Sequence, residues 1–152
     1  MIDIDALVDL LQRDEGFRDL VYDDASGEAL KPGMTLVGWP TIGYGWNLAT
    51  DPMRPQEALE HLRARAIVAV KDAISLVPNW DEHDNIRQGV IANMAYNLGH
   101  ARLAGFHNML AAFVGKRYAE AANEGLSSKW AAQVGKRAQR LMTELRTGVA
   151  LT

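Results

Sequence analysis

Apolar positions near the start of the chain recur at helical spacing. In DIDALVDLLQRD, residues 3–14, Leu7, Leu10 and Leu11 keep the i, i+3, i+4 relation that gathers side chains on one helix face. Asp3 or Asp5 can cap its start, and Gly16 can stop it. The pattern then changes. Residues 17–48 hold Gly27, Gly33, Gly38, Gly43 and Gly45 with Pro32 and Pro40, separated by short runs of β-formers, LVY, MTLVGW and TIGYGW. This predicts a small, irregular antiparallel sheet, with ASGE as a turn and KPGMTLVGWP as an enlarged hairpin.

From Pro55 the helical period returns. PQEALEHLRARAIVAVKDAISLV has no internal breaker before Pro78, and Pro55 suits a first helical turn. Such a helix is roughly 30 Å long at 1.5 Å per residue and can bridge two lobes. Residues 81–146 read as helical pieces broken at Gly99, Gly105, Gly115, Gly125 and Gly135. Several pieces are short and need tertiary packing to hold them. The expected class is α+β. One domain is expected over residues 1–152, with a small α+β lobe at 13–55 and a connecting helix at 56–78. A helical lobe at 79–152 is expected to take in the N-terminal helix as well.

Composition narrows the classes. With 152 residues, 48% hydrophobic and 23% charged, the chain can bury a real core and is not of disordered type. It has no cysteine, which excludes disulfides and thiolate chemistry. Apolar runs such as Ala66 to Val70 are far short of the ~20 residues a bilayer span needs, so no stable membrane insertion is expected. MIDIDALVDLL carries acids where a signal peptide carries Lys or Arg, so no export leader is expected. The net charge of −3 argues against nucleic acid as the main partner. That average hides an asymmetry: residues 1–60 hold twelve acids and four bases, residues 61–152 seven acids and twelve bases. The basic part could lean on an anionic polymer or simply make the protein dipolar.

The candidate chemistry sits in RDEGFRDLVYDD and TIGYG. Glu15 falls in the last turn of the first helix, where the negative end of the helix dipole tends to raise a carboxyl pKa, as a general acid requires. An exposed acid at a helix end is the plain alternative. Asp24, nine residues on, could stay ionised and activate a water, but its neighbour Asp23 is an equal candidate on local pattern, and both could be turn acids. Thr41 opens TIGYG and can hydrogen-bond a water or a carboxylate. Two acids and a hydroxyl at a helix–hairpin junction are the set a glycosidase uses: one proton donor and one carboxylate for the water or nucleophile. The four histidines, His61, His83, His100 and His107, form no HExxH pair, and GxSxG, Walker and GxGxxG motifs are absent.

The ordered motifs DEGFRDLVYDD and TIGYG resemble those of the phage-type lysozymes, the family of the T-even bacteriophage lysozyme. The shared features are Glu-Gly-x-Arg, an Asp nine residues after the Glu, and a Thr heading TIGYG. IANMAYNLG, LAGFHNML, SSKW and GKRAQRLMTELRTG resemble the family's later helices, so the likeness spans nearly the whole chain. The resemblance implies Glu15 as general acid, with Asp24 and Thr41 as second carboxylate and catalytic threonine. It implies that Arg137 supports the acid across the lobes and that Tyr96 and Asn97 touch the glycan. The plain alternatives are a core Tyr96 and a helix-capping Asn97. Phe106 and Trp130 are expected to pack the helical lobe. Two departures stand out. The Asp24–Thr41 segment is longer than the family pattern, and Trp46 fills a slot where family members often carry His. Trp46 would then be a packing residue or a sugar platform.

What the resemblance implies is an endolysin-like muramidase. It would cut the β-1,4 bond between N-acetylmuramic acid and N-acetylglucosamine with inversion, and so with carboxyls ~6.5–9.5 Å apart. A monomer without cofactor or metal is expected, with peptidoglycan strands as partner. It would wait in the host cytoplasm and reach the wall through a holin pore. The alternatives are a lytic transglycosylase, which needs the Glu but no water-activating Asp, and a non-catalytic peptidoglycan binder on the same scaffold.

Overall fold

The structure is a computed structural model that describes residues 4–151. It is α+β, with a small three-stranded antiparallel sheet followed by helices. The chain forms two compact units, the first ending at Ala58 and the second starting at Leu59.

In the first unit, helix α1 spans Ile4–Glu15. Of its two candidate caps, Asp5 lies in the first turn, and Asp3 lies outside the described residues. The helix stops at Gly16, whose φ of +66° would cost a side-chain-bearing residue about 1–2 kcal/mol. The sheet follows in the order β1 (Arg18–Asp23), β2 (Pro40–Gly43), β3 (Trp46–Asn47). Its register pairs Tyr22 with Thr41, Asp23 with Pro40, and Thr41 with Asn47. The ASGE turn forms at the end of β1, and the chain returns beside it, with Ala29 bridging Tyr22 and Leu30 N–H donating to Val21 C=O at 2.8 Å.

MTLVGW forms no strand, contrary to the expected enlarged hairpin. Its β-forming side chains favour a ladder, yet the N–H groups of Val37, Gly38 and Trp39 donate instead to the carboxylates of Asp23 and Asp24. A backbone donor satisfied by a side chain has no need of a partner strand.

Helix α2, Pro55–Leu76, begins in the first unit and continues in the second, close to the expected Pro55–Val77. The second unit then holds α3 (Asn85–Leu98), α4 (His100–Ala104), α5 (His107–Val114), α6 (Tyr118–Leu126), α7 (Lys129–Val134) and α8 (Lys136–Thr147). Asp84 caps α3 by accepting the Arg87 N–H at 3.0 Å, and Ser128 caps α7 by accepting from Ala131 at 3.1 Å. Ile91 and Met94 of α3, Leu103 of α4, Phe113 of α5 and Leu141 and Leu145 of α8 are buried in one core.

Four of the five expected glycine breaks fall at helix ends. The fifth, Gly125, lies inside α6. A side chain there would collide with Met142 of α8, so this glycine permits close helix packing rather than a stop.

Candidate functional site

Glu15 is the last residue of α1, exposed as a helix-end acid should be. Its surroundings are set by the β2–β3 turn. At Gly45, φ is +78°, and a Cβ built on it would lie 2.9 Å from Glu15 Oε2. The turn backbone therefore backs directly onto the carboxylate. Phe17 and Tyr44 fasten the same junction, their rings 5.3 Å apart. Arg18 of the Glu-Gly-x-Arg motif lies with its guanidinium 4.3 Å over the Tyr22 ring, and its Nη2 donates to Gly27 C=O at 2.8 Å. This arginine ties β1 to the turn that follows it.

The two neighbouring acids, equal on local pattern, part company in the fold. Burial increases along β1 towards its end, and Asp23, the last residue of the strand, is fully buried. Its Oδ1 accepts from Ala25, Ser26 and Gly38 at 2.9, 3.2 and 3.0 Å, and its Oδ2 from Val37 at 2.6 Å. The Val37 hydrogen bond above all holds its pKa below the ordinary value of 3.8. Burial works against that, and the other three N–H groups add to it. Asp24 is exposed, and its Oδ1 accepts the Trp39 N–H at 2.6 Å. Among the described residues its Oδ2 has no protein partner.

Thr41 is buried on β2, opposite Tyr22, and its hydroxyl donates to Trp39 C=O at 3.2 Å. Trp39 is thus bonded to both site residues, since Asp24 N–H also donates to its carbonyl at 3.1 Å. Glu15, Asp24 and Thr41 all belong to the first unit.

The other three expected residues belong to the second unit. Tyr96 and Asn97 are both exposed on α3, so Tyr96 is not a core residue. They line a hollow of about 270 Å³ together with Arg65 and Asp72 of α2. Asn97 does not cap α3, which ends on Gly99. Instead its Oδ1 accepts the indole N–H of Trp130 at 2.8 Å. Arg137, on α8, donates to Asn93 Oδ1 at 2.7 Å. Asn93 and Asn97, four residues apart on one face of α3, are both tied to later helices.

Trp46 uses its indole N–H on Asp51 C=O at 2.8 Å, which makes it a half-buried fastener of the loop after β3. Trp130 is buried and meets Phe106 edge-on at 6.3 Å, as expected of lobe-packing residues. Both also wall an open groove of about 690 Å³ with Arg102, His107, Glu124 and Lys129. No sequence signal pointed to this groove, because its lining comes from five separate helices. Among the described residues, no group of three or more His, Cys, Asp or Glu is placed to hold a metal ion.

The α+β fold, with its small antiparallel sheet followed by helices, is lysozyme-like. No family model matches the chain. It is similar to a probable T4-type lysozyme of Dictyostelium discoideum, 26% identical over 95% of this chain and 96% of that protein. It is also similar to the pre-baseplate central spike protein Gp5 of Enterobacteria phage T4, 25% identical over 94% of this chain, which spans only 28% of that protein's length. The chain is T4-lysozyme-like.

Proposed function

We propose that the protein is a muramidase that hydrolyses the β-1,4 bond between N-acetylmuramic acid and N-acetylglucosamine in peptidoglycan, with inversion. The observation that carries this reading is a pair of exposed carboxylates, Glu15 and Asp24, on one small unit, each seated against a fixed backbone element. The likeness to a T4-type lysozyme over nearly the full length of both chains supports it.

Protonated Glu15 gives its proton to the glycosidic oxygen as the bond from that oxygen to C1 breaks. A water attacks C1 from the opposite face and passes a proton to Asp24. The Asp24 oxygen without a protein partner is the acceptor. Thr41, its own proton committed to Trp39 C=O, offers lone pairs that orient the water. Tyr96 and Asn97 are assigned to the glycan, and Arg137 to a supporting role. The protein acts on the host wall at lysis, after release from the cytoplasm through a membrane pore.

Digestion of purified peptidoglycan, read by mass spectrometry with Glu15→Gln as control, tests this. Products with a reducing-end muramic acid, lost in the variant, are expected. Anhydro products would assign a transglycosylase instead, and an absence of product would leave a glycan binder. The anomer first released, read by proton NMR, tests inversion.

A further inference from the structure

We infer that Asp23 is the positioning residue of this site, acting through Asp24, and that the long 25–38 segment is held in service of that role. The inference rests on the muramidase reading. Asp23 is the one fully buried carboxylate among the described residues. Its four backbone donors come in two pairs: Ala25 and Ser26 where the segment leaves the sheet, and Val37 and Gly38 where it returns. One side chain therefore closes a loop whose bonded ends are up to fifteen residues away in sequence.

The consequence falls on the next residue. Trp39, directly after the clamped pair, supplies the N–H that holds Asp24 Oδ1 and the carbonyl that accepts from Asp24 N–H and from Thr41. The clamp at Val37 and Gly38 sets where that N–H and carbonyl stand. Gly38 completes the device. A Cβ at this position would collide with Asp24 Oδ1 and would lie 2.7 Å from Ala25 Cβ, so only glycine lets the returning loop pass this close to the carboxylate. Asp23 touches no substrate. It fixes the direction of Asp24, and a small misplacement of a reacting group is costly.

The test is a double-mutant cycle on peptidoglycan hydrolysis, with Asp23→Asn, Asp24→Asn and the pair. It is run beside Gly38→Ala and amide NMR of the full chain. Asp23→Asn is expected to lower kcat by at least about tenfold with KM nearly unchanged, and Gly38→Ala to do the same while leaving the Asp23 carboxylate in place. In the Asp24→Asn background, Asp23→Asn should cost little more, because the group that Asp23 positions is already gone. The Trp39 amide resonance should move in Asp23→Asn. Unchanged kcat, losses that multiply independently, or an unmoved Trp39 resonance would each overturn the inference. If the wild type releases no product while the Trp39 resonance still moves in Asp23→Asn, the muramidase reading fails and the clamp stands.

Discussion

Gly45 shows how much a single residue can carry. Its φ of +78° disfavours any side chain, and its Cα faces the Glu15 carboxylate with no room for a methyl group. Gly45→Ala is expected to cost about 1–2 kcal/mol of backbone strain and to displace Glu15. A fall in kcat larger than any fall in melting temperature, measured on the same preparation, would be its signature. The sequence marked Glu15, Asp24 and Thr41 by spacing and resemblance, and it marked Gly45 only as one glycine among several. It could not separate Asp23 from Asp24. Which acid faces inward depends on where β1 begins and on donors from Val37 and Gly38, neither of which two adjacent aspartates reveal. The indole N–H of Trp130 was equally hidden, because its acceptor, Asn97, lies on another helix.

Two features of the second unit belong to whole elements. Arg87 of α3 closes the C-terminal end of α8. Its Nε donates to Leu145 C=O at 2.8 Å and its Nη2 to Arg146 C=O at 3.0 Å, while the guanidinium lies 3.9 Å over the Tyr118 ring. Gly148 is where this happens: a Cβ there would collide with the guanidinium, so the RTG ending is a docking surface for Arg87. Arg87→Ala removes hydrogen bonds to carbonyls that have no helical partner. It is expected to destabilise the unit by about 1–3 kcal/mol, read by denaturant melts. The second feature is His83, just before α3. It is buried, stacked 4.1 Å from the Phe113 ring and bonded to Tyr118 Oη at 3.0 Å and Asn79 Oδ1 at 3.2 Å. Burial, then the charge of Lys116, pushes its pKa below the ordinary 6.5, although Glu82 and Asp84 pull the other way and Arg87 adds to the fall. The unfolded chain therefore takes up a proton that the folded chain refuses. Stability is full above pH 6.5 and falls as pH drops below it, by at most about 1.4 kcal/mol per pH unit. His83→Gln, which keeps hydrogen-bonding groups without a titration, should flatten the dependence of melting temperature on pH between about 6.5 and 5.

The two units hold together by different means. Among the described residues, every buried hydrophobic residue lies in the second unit, and the buried residues of the first are Asp23 and Thr41. Hydrophobic burial stabilises at roughly 25 cal/mol per Å², so the second unit has the deeper reserve. Hydrogen exchange should show two tiers, with amides around Ile91, Phe113 and Leu141 slowest and those of the sheet faster. Uniform protection across both units would contradict this. Acid should divide them as well. The lowered pKa of Asp23 means its contribution is present above pH 3.8 and is lost only as pH falls through its lower folded value, beneath the range where His83 acts. Local rules determined the run of elements: α1, α2, the helical train and TIGYG follow from hydrophobic period, proline placement and the φ freedom of glycine, all short-range properties of the chain. Tertiary structure alone decided the rest. It turned MTLVGW from strand to clamped loop, kept α6 running through Gly125, buried Asp23 and left Asp24 exposed. Each of these outcomes depends on a donor, acceptor or packing surface supplied from a distant segment, and no local pattern encodes where that segment comes to lie.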